Sequence, residues 1–235
     1  MQLRWPGTSA FAASLLLAHA AAAEPQLRLQ IEQKGDFALI GNTLAQDCAP
    51  GVPPPLVGTV GACGLNIVDT AADVFWRSEE PGPAEAFADT SITASQARST
   101  AVLALPAGAS VTHAFLYWAA STMSPDTSAT LARPDGFSAI VPAIATASST
   151  NAYQAVADVT SLVQQNGPGA YRVSDVKSLE LLDADSNARL AGWWMVVVYT
   201  LPSDPPRTIA LFDGLDFVTD VAPQDVVLSG LSVPP

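Results

Sequence analysis

Histidine and cysteine, which carry much of nucleophilic and proton-transfer chemistry, are nearly missing from this chain: there are two of each in 235 residues. One histidine, His19, lies in the apolar N-terminal stretch, which leaves His113 as the sole imidazole of the remainder. Hydrolases of the Ser-His-Asp and Cys-His kinds need an imidazole that takes and returns a proton near neutral pH. His113 sits within the apolar run VTHAFLYW, a setting that suits a satisfied core imidazole better than a catalytic base. No GxSxG elbow, HExxH helix, P-loop or GxGxxG turn occurs, so nothing points to nucleophilic, zinc or nucleotide-dependent catalysis.

Positive charge is scarce as well. Ten Lys and Arg face 22 Asp and Glu, for a net charge of −12. Affinity for phosphate backbones rests on basic side chains that displace counterions, so nucleic acid and anionic lipid are poor partners for this surface. No apolar run reaches the ~20 residues needed to cross a bilayer as a helix. The longest lies at the N-terminus, where Arg4 precedes an apolar core from Ala10 to Ala18 and a run of small residues up to Ala23. That order is the three-part pattern of a cleavable secretory signal. It predicts a signal peptide over 1–23, with cleavage after Ala23 or Ala20, and no transmembrane segment in the mature chain. The product is expected to be exported: extracellular, at the cell surface or periplasmic.

Export gives the two cysteines their meaning. Cys48 and Cys63 share a stretch rich in Pro and Gly, QDCAPGVPPPLVGTVGACG, with no CxxC spacing or neighbouring histidine to suggest a metal. In an oxidising compartment a disulfide between them is expected, and closing that loop stabilises the fold by roughly 3 kcal/mol in the chain-entropy model.

What the sequence does contain is strand. Segments rich in β-branched and aromatic residues recur between Pro and Gly punctuation, the pattern of a sandwich or barrel. The clearest are Gly35–Thr43, Asp73–Arg77, Arg98–Pro106, Ser110–Ala120, Gly136–Ile144, Ala191–Leu201, Arg207–Val218 and Asp225–Val233. In VTHAFLYW both alternating faces are largely apolar, and WWMVVVY is apolar without alternation, so these two segments are expected as central strands buried on both sides. Trp118 and Trp193 or Trp194 are then core residues. One helix is predicted in ADVTSLVQQNGPG, capped by Asp158, with Leu162 and Val163 as its apolar stripe and Asn166-Gly167 as its end. The mature chain, 24–235, is expected to form a single β-sandwich domain, jelly-roll-like, with this one crossover helix.

Two kinds of polar site remain. Asp183, Asp185 and Asn187 alternate oxygen ligands as the first positions of a calcium loop do, but the following glycine and the distal glutamate are absent, so at most weak calcium binding is expected and a solvated turn competes with it. No other cofactor is implied. Paired carboxylates are the alternative, since glycoside hydrolysis needs only two acidic groups at a suitable separation.

The order of segments is also familiar: GDFALIGNTL, VGTVGACG, DVFWR, ARSTAVLALPAGASVTHAFLYWAA, YQAVADVTSLV, GPGAYRV, AGWWMVVVY and PPRTIALFDGLDFV. Over nearly all of the mature chain this resembles the N-terminal β-domain of large secreted surface proteins of gliding bacteria, including adventurous gliding motility proteins, and related β-domains of adhesin-type cell-wall proteins. The shared motifs are structural, and the resemblance transfers no catalytic residue. It implies a non-enzymatic surface module, adhesive or structural, with a glycan or an extracellular protein as partner. The competing expectation is a glycan-active hydrolase using paired carboxylates. Two facing carboxylates in a cleft would favour hydrolysis, and an aromatic platform without them would favour binding.

Overall fold

The computed structural model describes residues 25–47, 74–78, 88–89, 92–122, 124–149, 151–180 and 191–215. The predicted signal segment, the two cysteines, the calcium candidates Asp183, Asp185 and Asn187, and the strand expected over Asp225–Val233 lie outside these residues.

The described chain is all-β with a single α-helix. Its strands are β1 (Gln26–Thr43), β2 (Ala45–Asp47), β3 (Val74–Arg77), β4 (Ala88–Asp89), β5 (Arg98–Leu103), β6 (Ser110–Ala120), β7 (Ser128–Ala132), β8 (Ser138–Pro142), β9 (Ala145–Ser148), β10 (Tyr153–Asp158), β11 (Gly169–Ser174), β12 (Ala191–Thr200) and β13 (Pro206–Asp213). The helix, α1 (Thr160–Asn166), links β10 to β11. A six-stranded antiparallel sheet runs β13-β1-β12-β6-β10-β9, a four-stranded one runs β5-β11-β7-β8, and β2-β3-β4 form a small third sheet. Without β9 and β13, the two large sheets hold eight strands in the order and alternation of a jelly roll: β1-β12-β6-β10 face β5-β11-β7-β8. The expected sandwich is therefore present.

β6 and β12 lie side by side at the centre of the larger sheet, with Trp193 opposite Trp118 and Trp194 opposite Tyr117. Alternation sends Leu116, Trp118, Trp193, Met195 and Val197 into the space between the sheets, where they meet Leu103, Leu131, Tyr171 and Val173 of the smaller one. The opposite row, Phe115, Tyr117, Val196 and Val198, forms a second apolar cluster on the outer face. Both central strands are thus buried on both sides, as their lack of polar alternation requires.

The outer cluster is covered by an arm of which the sequence segments announced one half: β13 overlaps the strand expected over Arg207–Val218, whereas the first half of β1 is not among them. The second half of β1 pairs with β12, from Gly35 opposite Thr200 to Thr43 opposite Gly192. Its first half continues onto β13, from Lys34 opposite Pro206 to Gln26 opposite Asp213. Between them Leu201–Pro205 form a turn, and Gly35 takes a φ of 137°. A side chain at Gly35 would collide with the Tyr199 carbonyl, so this bend needs glycine on two counts. Beyond it, Leu29, Ile31, Ile209 and Leu211 pack over Phe115, Tyr117, Val196 and Val198.

The helix follows its sequence signals with one shift. Asp158 stands one residue before the N-cap Val159, and its Oδ1 accepts from the Thr160 N–H at 2.9 Å. Gly167 closes the helix at φ 68°, with its N–H donating to the Val163 carbonyl. Val163 is buried and Thr160 Oγ1 accepts from the Ala114 N–H, which ties the helix to the end of β6.

Candidate functional site

The arm covers only part of the outer face, and among the described residues two concavities lie beside it. The larger, about 650 Å3, lies where β1, β12 and β6 end together. Small residues, Gly41, Gly192 and Ala119, line it together with Trp194 and Leu39. A Cβ on Gly41 would lie 2.5 Å from the Trp193 carbonyl oxygen and 2.9 Å from Trp194 Cα and Cβ, so β1 and β12 approach this closely beside the indole only because Gly41 has no side chain. Trp194 is half-buried, and among the described contacts its indole N–H has no hydrogen-bond partner. The indole lies flat on Tyr117, with ring centroids 5.2 Å apart and planes 1° from parallel. Leu39 and Phe37 continue the apolar surface along β1, 61 % and 54 % exposed.

The smaller cavity, about 220 Å3, lies on the other side of that aromatic pair, between the tip of the arm and the β9–β10 hairpin. Its polar end is made by residues far apart in the chain. Arg28 donates to Asp213 through Nε at 2.7 Å and through Nη2 at 3.2 Å, across 185 positions. Tyr117 donates its hydroxyl proton to the same carboxylate at 2.9 Å. Two features of the strands aim these groups. Asp213 continues the inward row of Ile209 and Leu211, and Arg28 is the extra residue of a β-bulge between Leu27 and Leu29. A bulge breaks the two-residue alternation and re-aims a side chain, here onto the side of Leu29 and Ile31. Burial pushes the Tyr117 hydroxyl well above the usual tyrosine range, and its bond to Asp213 adds to the shift, so it acts as a neutral donor. The Asp213 carboxylate in turn raises Arg28 further. Gln154, on the outer face of β10, also lines the cavity; it is 9 % exposed, and among the described contacts its carboxamide has no hydrogen-bond partner.

No family model, curated relative or solved structure matches this chain. The site is therefore read from its own geometry.

Of the residues singled out in the sequence, Trp118 and Trp193 lie between the sheets, 0 % and 2 % exposed, while Trp194 lines the outer groove. Trp193 donates its indole proton to Ser99 Oγ at 2.9 Å. His113 is only half-buried, on the outer face beside Phe115, and its Nδ1 is buried without a hydrogen-bond partner. The expectation of a satisfied core imidazole is corrected on that point: the strand alternation that carries Phe115 and Tyr117 outward carries His113 with them. Two carboxylates do meet at the bend of the arm, where Asp36 and Asp204 both pair with Arg207 Nη1 at 3.0 and 3.2 Å. That nitrogen also donates to the Gly35 carbonyl at 2.7 Å, so the cluster braces the turn. Neither concavity on the outer face is lined by two carboxylates; the smaller has Asp213 and the larger none. Among the described residues no group of three His, Cys, Asp or Glu could hold a metal, and no helix is long and apolar enough to cross a membrane.

The residues that sequence reasoning passed over are Arg28, Gln154 and Asp213. The alternation of Leu27, Leu29 and Ile31 with polar neighbours was a signal for the first half of β1. Nothing in the sequence signalled the bulge.

Proposed function

We propose that this chain is an exported, non-enzymatic binding module, adhesive at a cell surface, that holds a glycan against the outer face of its six-stranded sheet. The supporting observation is the Trp194 groove: a half-buried indole, whose N–H has no partner among the described contacts, stands above small residues on a central strand pair. Sugar rings present an apolar C–H face and a rim of hydroxyls, and an aromatic ring beside a hydrogen-bond donor complements both. The groove's volume lies within the ~300–1,000 Å3 of small-ligand sites. The N-terminal export pattern and the resemblance to adhesin-type surface domains support the same reading.

A protein partner is the second reading, favoured by Phe37 and Leu39. They stand exposed on the half of β1 that pairs with β12 alone, an arrangement suited to strand addition.

The test is an immobilised-glycan screen on the exported protein. At least one glycan should be retained, and Trp194→Ala should weaken its binding by about tenfold or more, on the order of one lost hot-spot contact. Release of shortened sugars from a bound oligosaccharide would overturn the reading in favour of hydrolysis. Failure of every glycan combined with capture of an extracellular protein through Phe37 and Leu39 would transfer it to the second.

A further inference from the structure

We propose that the smaller cavity, at the tip of the arm, binds one neutral sugar ring, the terminal residue of the glycan whose next units lie on Trp194; this inference rests on the glycan reading above. Three observations carry it: the size of the cavity, the charge balance of its polar end, and an unpartnered amide within it.

At about 220 Å3 the space is smaller than the ~300–1,000 Å3 of pockets for drug-sized molecules, so it suits a single ring rather than a chain. Tyr117 lines it, Trp194 lines the larger groove, and the two rings are stacked on each other. A ligand of several rings lying across the outer face would therefore place its end here.

The polar end is strongly hydrogen-bonding yet close to electrically neutral. Arg28 and Asp213 already face each other through two bonds, and Tyr117 donates to the same carboxylate. An anionic ligand would have to compete with Asp213 for the guanidinium, and a cation would have to displace Arg28. A neutral hydroxyl does neither. It can accept from an N–H of Arg28 not aimed at Asp213 and donate its own proton to a carboxylate lone pair. Neighbouring ring hydroxyls would meet both members of the pair at once.

Gln154 supplies the remaining argument. Among the described contacts its carboxamide has no hydrogen-bond partner, and it is not sealed from solvent: the residue keeps 9 % of its exposure and lines the cavity, so its oxygen and nitrogen are open to whatever fills that space. A sugar hydroxyl, which both donates and accepts, would satisfy its oxygen and its nitrogen alike. Val156 and Ala145 complete an apolar wall for the ring's C–H face.

The experiment is a titration of the exported protein, followed by NMR, with free glucose, galactose, mannose and N-acetylglucosamine, and with glucuronate and acetate as anionic probes. At least one neutral monosaccharide should shift the resonances of Gln154 and Tyr117 saturably at millimolar concentration. Gln154→Leu should weaken that binding about tenfold while leaving the melting temperature unchanged, since the amide makes no hydrogen bond among the described residues. Saturation by the anions alone would overturn the proposal, as would unchanged monosaccharide affinity in Gln154→Leu. If oligosaccharides bind the wild type and Gln154→Leu equally, this site fails and the glycan reading stands. If no glycan of any length binds the wild type, the glycan reading itself fails.

Discussion

The two faces of the six-stranded sheet are built from the same strands and differ in how they are closed. Between the sheets, Trp118, Trp193 and Tyr153 are each at most 2 % exposed, packed in one core with Tyr171 of the four-stranded sheet. On the outer face the cover is an arm made of the first half of β1 and of β13, and it leaves Trp194 half-buried and a cavity at its tip. Neighbours in sequence therefore serve opposite ends. Trp193 is sealed and hydrogen-bonded to Ser99, while Trp194 stands at a groove, its N–H without a partner among the described contacts. A closed layer supplies rigidity, and an incompletely closed one supplies a site.

The largest expected effect engages both faces together. All four tyrosines, Tyr117, Tyr153, Tyr171 and Tyr199, have hydroxyls pushed above the ordinary value of about 10, chiefly by burial. A group whose folded pKa is raised loses its contribution as pH rises: stability is full below the unfolded value near 10 and falls above it. The domain should hold its fold to about pH 10 and unfold in stronger alkali, with the tyrosinate absorbance at 295 nm appearing together with the loss of strand circular dichroism. If one tyrosine ionises at pH 10 while the fold is intact, that residue is open to solvent, and Tyr117 would be the one to damage the description of the outer face.

Next in size is the inner layer. Trp118→Ala should cost roughly 3–5 kcal/mol, a large share of the ~5–15 kcal/mol that holds such a domain together. Urea unfolding measures it. A loss below about 1 kcal/mol would mean that the space between the sheets can collapse around the missing ring, contrary to a fully packed layer.

The arm comes third. Asp213→Ala leaves the Arg28 guanidinium and the Tyr117 hydroxyl without their acceptor, and should cost about 2 kcal/mol, less than a fully buried pair because Arg28 reaches solvent. Hydrogen exchange sharpens the comparison: amides of residues 26–34 and 206–213 should lose protection while those of β6 and β12 keep it. Equal loss in both regions would show that arm and sandwich unfold as one unit.

The same contrast explains what the sequence disclosed. β6 and β12 were legible because a strand buried on both faces has no polar alternation, and WWMVVVY has none. Short strands such as SATLA, ATAS and GAYRVS carry too few β-branched or aromatic residues to stand out, and their places come from tertiary pairing rather than propensity. The outer site was not legible at all. Arg28 and Asp213 meet across 185 positions through a bulge and a bend, and no local spacing encodes that meeting. Trp193 and Trp194 are adjacent identical letters; only the register, which sets Trp193 beside Trp118 and Trp194 beside Tyr117, says which is core and which lines the groove.

That register also sets the smallest stability effect, and with it the sharpest test of the comparison. Trp194→Ala removes a ring stacked on Tyr117 but opens no closed cavity, because the groove beside it already communicates with solvent. The loss should be near the ~0.5–1.5 kcal/mol of an aromatic pair, several-fold below that of Trp118→Ala. Gly41→Ala attacks the same place from the facing strand: its new methyl would lie 2.5 Å from the Trp193 carbonyl oxygen and 2.9 Å from Trp194 Cα and Cβ, atoms that no rotation of the indole moves, so the strands must part. Its urea midpoint should therefore fall well below that of Trp194→Ala, with glycan binding lost alongside. A near-native midpoint would show that β1 gives way easily at this end of the sheet, and that the outer face is held more loosely than its register implies.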